Sequence, residues 1–167
     1  MEVRPARVED AAAIAEVHVR TWQEAYGHVF GAERLAKLDV GTRAANWRRW
    51  LEEPQPHWSV FVAEDDESSV VAFGWVGESR EAADEGELYA IYALPEAWGS
   101  GAGLAVMEAS LASLREAGFA GAILWVLEDN PRARRFYERE GWRVDGARRE
   151  GEHLGMTVAE VRYRIDL

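Results

Sequence analysis

The stretch WVLEDNPRARRFYEREGW, residues 125–142, predicts a strand, a helix and a second strand in close succession. An apolar run over 123–127 is typical of a buried strand. Asn130 followed by Pro131 marks a helix start, because the asparagine side chain can accept an orphan N–H and proline needs no donor at the first position. Gly141 suits the left-handed residue that ends such a helix. The chain then resumes as a strand over 142–147.

A second stretch, WGSGAG at residues 98–103, joins a strand to a helix. The strand over 88–94 is apolar at odd and even positions, which predicts a central strand covered on both faces. The helix carries a predicted apolar stripe and ends near Gly118. The stripe consists of Leu104, Met107, Leu111 and Leu114.

Glycines at 99, 101 and 103 let the backbone approach a ligand, and successive N–H groups at a helix start suit a pyrophosphate. A turn that merely connects strand to helix explains the same glycines, so both interpretations stay open. A Rossmann dinucleotide site is disfavoured, because the third glycine of G-x-G-x-x-G is missing and several strands precede the turn.

The other predicted elements come from apolar periodicity and from capping residues. They are a strand over 2–8, a helix capped by Asp10 that runs to Tyr26, a helical region with Thr42 as its cap that stops before Pro54, a hairpin of strands 58–63 and 70–77, and a last strand over 157–166 with Glu160 on its polar face. This order predicts an α/β (α+β) fold with a mixed sheet.

Composition limits the class of protein. The 167 residues are 48% hydrophobic and 29% charged, which predicts a globular chain with one domain over 1–167. No apolar run is long enough to span a bilayer and the N-terminus lacks a signal-peptide pattern, so we expect a cytoplasmic protein. With no cysteine there is no thiolate metal site and no cysteine nucleophile.

The formal net charge of −11 disfavours nucleic acid and anionic membranes as partners. It would favour a cationic partner, although a charge of this size also simply keeps a protein soluble.

Residues 125–142 resemble the Asn-x-x-Ala-x-x-Phe-Tyr-x-x-x-Gly-Phe signature of the GNAT superfamily of N-acetyltransferases, with Trp142 in place of the final phenylalanine. Gly101 and Gly103 match the superfamily's pyrophosphate loop, Arg/Gln-x-x-Gly-x-Gly/Ala, in which Trp98 replaces the usual Arg or Gln. The order of elements is similar over nearly the whole chain. The resemblance implies a mostly antiparallel sheet, flanked by helices, with one splayed parallel strand pair whose strands end at Leu94 and Leu127.

The resemblance implies acetyl-coenzyme A as donor. Its expected binding residues are Tyr92, Leu94, Trp98, Gly99, Ser100, Gly101, Ala102, Gly103, Asn130 and Ala133. Tyr92 and Leu94 would offer main-chain groups to the pantetheine arm, and Asn130 would hydrogen-bond that arm, cap its helix, or do both. Trp98 would either pack on the sheet edge or cover the coenzyme.

Two catalytic residues are carried over in the same way. Tyr137 would protonate the departing thiolate, unless it is a packed core tyrosine. Glu87, or else Glu85 or Asp84, would take the proton of the attacking amine, since an alkylamine is protonated at neutral pH. A solvated charge at the strand end is the alternative for Glu87. The reaction requires no metal.

The acceptor would be a primary amine on a small molecule or at a peptide N-terminus, and transfer would be direct within a ternary complex. The resemblance places its recognition on Trp22, Glu24, Tyr26 and the turn over 151–155, while core packing also explains the two aromatic residues. His153 and the other histidines show no zinc spacing. A catalytically silent acyl-coenzyme A sensor or interaction module is the rival function, and the sequence leaves a homodimer open.

Overall fold

The computed structural model describes residues 1–167, which form seven strands and six helices. Two of the helices, α2 and α3, are single turns between the long helices α1 and α4. The elements are β1 (Glu2–Pro5), α1 (Ala11–Ala25), α2 (Gly27–Phe30), α3 (Ala32–Leu35), α4 (Val40–Glu52), β2 (Ser59–Glu64), β3 (Val70–Glu78), β4 (Gly86–Ala93), α5 (Ala102–Glu116), β5 (Gly121–Leu127), α6 (Pro131–Arg139), β6 (Arg143–His153) and β7 (Met156–Asp166).

The seven strands form one sheet in the order β1-β2-β3-β4-β5-β7-β6. Only β4 and β5 are parallel, and every other neighbouring pair is antiparallel. The predicted mixed, mostly antiparallel sheet and the central position of β4 are therefore confirmed. A doubly wound parallel sheet, which the Rossmann alternative needs, is not present.

Helices cover both faces of the sheet, and alternate side chains of β3 pack against helices on opposite faces. Ala72 and Val76 pack with α5 and α6 in the larger core cluster. Phe73 and Trp75 point the other way and pack with α1 and α4.

The parallel pair separates soon after it forms. β4 is paired with β5 only at Gly86 and Glu87, opposite Ala122 and Ile123. Beyond that point the pairing of β4 with β3 skips Tyr89, an extra residue of the kind that bends a strand and increases its twist. The two strands diverge as expected, and their facing edges from Leu88 onward have no partner strand.

Two predicted helix caps differ from the structure. Asp10 precedes α1 but makes no capping hydrogen bond to it. Its carboxylate instead bonds the Arg4 guanidinium and the Arg7 backbone N–H, because a charged partner from β1 lies within reach. Helix α4 begins two residues before Thr42, since Asp39 accepts the Thr42 N–H at 2.8 Å and is the actual cap.

Three positions near the C-terminal half also differ from the prediction. Leu104 is 37% exposed, whereas Val106 is buried and takes its place in the stripe of α5. Trp142 precedes β6 and lies in the core, and β6 itself extends to His153. Glu160 is buried although its strand position predicted a polar surface, because it faces a cavity and pairs there with Arg149.

None of the helices is both long and apolar enough to cross a membrane.

Candidate active site

A cavity of about 650 Å³ opens where β4 and β5 diverge. Its walls come from α1, from β4 and β5, from the turn before α5, from α6, and from the β6–β7 hairpin. The cavity thus brings together the two stretches that the sequence singled out. Of the expected binding residues, Ser100, Ala102 and Leu94 are the ones that do not line it.

The glycine-rich turn presents free backbone donors at one end of this cavity. Gly99 and Gly101 have φ angles of +81° and +94°, a conformation that favours glycine. The N–H groups of Ser100 and Ala102 are satisfied internally, by Ala97 O and Ser100 Oγ. Those of Gly99, Gly101 and Gly103 have no acceptor in the protein. Three unpaired donors at the start of a 15-residue helix are suited to binding an anion.

Trp98 is fixed at the edge of this turn. Its indole N–H donates to Ala93 O at 2.8 Å, and the Arg132 guanidinium lies 3.4 Å from the centroid of its ring. Trp98 therefore packs on the end of β4, the first of the two placements considered, and presents a ring face to α6.

Asn130 caps α6 as predicted: its Oδ1 accepts the Ala133 N–H at 3.1 Å. Its Nδ2 donates to the Tyr26 hydroxyl at 3.0 Å. A side-chain amide has two N–H donors, so one remains for a ligand in the cavity that Asn130 and Ala133 line.

The main-chain groups at the end of β4 are largely engaged. Leu94 donates its N–H to Val71 O, so this donor is not free for a ligand, and its carbonyl already accepts from Ala97 N–H. The Ala93 carbonyl accepts from Thr21 as well as from Trp98. Tyr92 lines the cavity, whereas Leu94 does not.

Tyr137 lies on α6 and lines the cavity while its ring packs in the core. No protein group hydrogen-bonds its hydroxyl, which is not closed off from the cavity. Burial and the neighbouring tyrosines 92, 26 and 163 hold the pKa of Tyr137 far above its usual value. The hydroxyl therefore keeps its proton throughout the neutral range.

Glu87 lies at the last paired position of β4 and is 1% exposed. Its carboxylate accepts from the Arg80 backbone N–H at 3.0 Å and from the Arg80 guanidinium. The other two carboxylates considered as bases lie outside the cavity: Glu85 pairs with Arg164, and Asp84 is exposed. Only Glu87 of the three lines the cavity.

A second carboxylate lines the cavity and was not predicted from the sequence. Glu160 of β7 is paired with Leu127, the last residue of β5, and contacts Arg149 at 3.2 Å and His153 at 3.7 Å. Burial raises the pKa of Glu160, but contact with His153 and the charge of Arg149 lower it by more. The pKa therefore lies below its usual value, and the group is ionised at neutral pH. No local signal separated Glu160 from Arg162 and Arg164, which also lie between apolar residues of β7.

The aromatic residues of α1 fulfil both roles that the sequence left open. Trp22 stacks on Phe30 and contacts Tyr26, and all three belong to a small core cluster. Trp22 and Tyr26 also line the cavity. Glu24 is exposed and does not, and only His153 of the 151–155 turn does so.

The charge of the cavity differs from that of the chain. Five arginines and one histidine line it against two glutamates, although the whole chain carries a formal charge of −11. The acidic surplus therefore lies outside the cavity. The lining arginines are Arg80, Arg132, Arg135, Arg139 and Arg149.

Solved structures of similar fold include a PaiA N-acetyltransferase from Thermoplasma acidophilum, in complex with coenzyme A, with a TM-score of 0.75, 17% identity and coverage of 99% of this chain and 98% of that one. Another is YncA of Salmonella typhimurium, described as an acetyltransferase with its cofactor acetyl-CoA; the TM-score is 0.72, the identity 20%, and the coverage 99% and 93%. These likenesses concern the fold.

Sequence comparison is more specific. The chain is 36% identical over 132 residues to the uncharacterised N-acetyltransferase YuaI of Bacillus subtilis, covering 77% of this chain and 73% of the relative. It is 30% identical over 161 residues to an uncharacterised N-acetyltransferase of Mycobacterium tuberculosis, covering 93% and 99%. Residues 12–142 match the acetyltransferase (GNAT) family. The chain belongs to that family.

Proposed function

We propose that the protein transfers the acetyl group of acetyl-coenzyme A to a primary amine, directly, within a ternary complex. The observation that carries the proposal is one cavity lined by the glycine turn with its three unpaired backbone donors, by Tyr137 in the last turn of α6, and by two buried carboxylates, Glu87 and Glu160.

The residues of the turn fit the donor. The free N–H groups of Gly99, Gly101 and Gly103 would receive the pyrophosphate. The remaining N–H of Asn130 and the unpaired edges of β4 and β5 would bind the pantetheine arm, with Tyr92 supplying main-chain groups. Bound acetyl-coenzyme A would supply an activated thioester.

Glu87 and Tyr137 would handle the protons. The amine nitrogen forms a bond to the acetyl carbon and the carbon–sulfur bond breaks; the amine proton passes to Glu87, and the sulfur takes the proton of the Tyr137 hydroxyl. Proton return from Glu87 to Tyr137 through water restores both residues. Arg80 occupies both carboxylate oxygens of Glu87 with hydrogen bonds, so a water or the amine would reach Glu87 when the largely exposed Arg80 side chain moves aside.

The acceptor would enter from the side of the β6–β7 hairpin. There Glu160, with Arg149 and His153, lines the cavity beside the end of β5. Because each of the two cavity carboxylates is paired with an arginine, its charge is balanced, and the acidity of the chain as a whole gives a cationic acceptor no local advantage.

The test is free-thiol release from acetyl-coenzyme A with a panel of polyamines, aminoglycosides, amino acids and peptide N-termini. Release that depends on one class of amine, with the acetylated amine identified by mass spectrometry, supports the proposal. Tight binding of coenzyme A without thiol release across the panel would support the rival function, a catalytically silent acyl-coenzyme A sensor. Failure to bind coenzyme A would refute both.

A further inference from the structure

Arg132 has the surroundings of a side chain whose partner is an anion. It is the second residue of α6, where a cation opposes the positive end of the helix dipole, and the first turn of α6 contains no acidic residue. On the same helix Arg139 pairs with the carboxylate of Glu140, and Arg134 donates to the Glu128 backbone carbonyl and the Tyr163 hydroxyl, whereas Arg132 meets no carboxylate. Burial and the nearby charge of Arg135 lower the pKa of Arg132.

A guanidinium in these surroundings is unfavourable without an anionic partner. The chain has 30 acidic residues against 19 basic ones, so such partners are plentiful, yet Arg132 pairs with none of them. Instead the guanidinium is held 3.4 Å from the centroid of the Trp98 ring, and Trp98 is in turn fixed by its hydrogen bond to Ala93. Stacking of this kind orients a guanidinium while leaving its N–H edges free.

The position of the stack connects it with the donor loop. Trp98 directly precedes Gly99, and Arg132 lines the same cavity as the three glycines with free N–H groups. Trp98 also stands where similar proteins carry the basic or amide side chain of the loop. We propose that Arg132, held on the ring of Trp98, supplies the missing cation and binds a phosphate group of coenzyme A. This inference rests on the proposed function.

Calorimetric titration of coenzyme A measures the effect without an acceptor. Arg132→Ala should weaken binding by about tenfold to a hundredfold, the usual range for a charge-assisted hydrogen bond. Trp98→Leu should weaken it less, by about threefold to fivefold, and should add little in the Arg132→Ala background because the two residues act as a unit. Trp98→Phe loses the bond to Ala93 but should retain most of the affinity, because it keeps a ring under the guanidinium.

A rescue variant tests whether a cation at position 98 can replace the Arg132 guanidinium. The double variant Trp98→Arg with Arg132→Ala moves the cation from α6 to the loop and should bind coenzyme A more tightly than Arg132→Ala alone. Arg115→Ala, in the last turn of α5, is the control for the loss of one positive charge and should leave the affinity unchanged. Circular dichroism of each variant verifies folding.

Titration of 3′-dephospho-coenzyme A identifies the phosphate. An equal loss for both ligands in Arg132→Ala assigns the contact to the pyrophosphate, and a loss for coenzyme A alone assigns it to the 3′-phosphate. If folded Arg132→Ala binds both ligands within twofold of the wild type, or if Trp98 and Arg132 substitutions are additive, the inference is overturned while the proposed function stands. A wild-type chain that binds neither ligand would instead refute the proposed function.

Discussion

Both carboxylate oxygens of Glu87 accept hydrogen bonds from Arg80, one of them from the backbone N–H at 3.0 Å. This pairing holds a nearly inaccessible carboxylate at the point where β4 and β5 part. The arginine side chain is largely exposed, so it can move without disturbing the core. Glu87 is thus a fixed group at the closed end of the gap, with a partner that can yield to a substrate.

Glu87→Gln should lower kcat/KM for an amine acceptor most at neutral pH, by roughly 10²–10⁴ if the residue is the general base. Activity should recover toward about pH 10, where more of the amine is already deprotonated and a base matters less. The measurement is kcat/KM against pH. Glu85→Gln is the matched control, because that carboxylate pairs with Arg164 outside the cavity. An equal loss at every pH would mean that Glu87 is structural.

Tyr137→Phe should reduce kcat by roughly 10²–10⁴ with little change in coenzyme A affinity, because it removes the proton donor and keeps the ring. Steady-state kinetics and calorimetry measure the two quantities. Tyr163→Phe is the comparison: its hydroxyl is held by Arg134 and Glu138 and does not line the cavity. Full kcat in Tyr137→Phe would show that another group protonates the thiolate.

Gly101→Asp should abolish measurable coenzyme A binding, because it places a negative charge where the backbone must meet a phosphate. Its φ of +94° also strains any side chain there, so stability will fall as well. Gly118→Asp separates the two effects: φ is +93°, the surroundings are open, and the site is remote at the end of α5. Both variants should lose similar stability in denaturant titrations. Unchanged affinity in folded Gly101→Asp would exclude the turn as the phosphate site.

The local signals of the sequence were sufficient where a feature depends on neighbouring residues. Asn130 with Pro131 predicted the start of α6, and the two-sided apolar run predicted β4 as the central strand, both confirmed. The motif residues also identified the stretches that line the cavity. These features follow from capping geometry and from burial on both faces, which a single segment determines.

Features that depend on distant partners could not be read in this way. Asp10 bonds Arg4 instead of capping its helix, and Glu160 pairs with Arg149 in the cavity. Only the assembled sheet creates these contacts. The stack of Arg132 on Trp98 likewise joins two residues that are 34 positions apart in the sequence. Charged residues carry little periodic signal, so their pairing is determined by tertiary structure.

Asp10 should make stability depend on pH. Its hydrogen bonds with Arg4 hold the pKa of Asp10 below its usual range, so the carboxylate stabilises the fold above the unfolded-state pKa of about 3.9 and loses that effect as the pH falls through the lower folded value. Asp10→Asn should therefore lower the free energy of unfolding by about 1–3 kcal/mol at pH 7, with a smaller difference near pH 3. Urea titrations at both values measure it. A difference independent of pH would assign the cost to packing.

The absence of a side chain at Gly151 leaves room for Glu160 and His153 to contact each other. A Cβ at this position would lie 2.1 Å from Glu160 Oε1 and 3.1 Å from His153 Nε2, so Gly151→Ala must displace the carboxylate from the cavity wall. If this wall binds the acceptor, its KM should rise about tenfold, while coenzyme A affinity stays the same because the glycine turn is untouched. Gly27→Ala is the control, since a Cβ there meets nothing and the backbone is unstrained. Kinetics with the preferred amine and calorimetry with coenzyme A separate the two effects. An unchanged acceptor KM in folded Gly151→Ala would remove the β6–β7 hairpin from acceptor recognition.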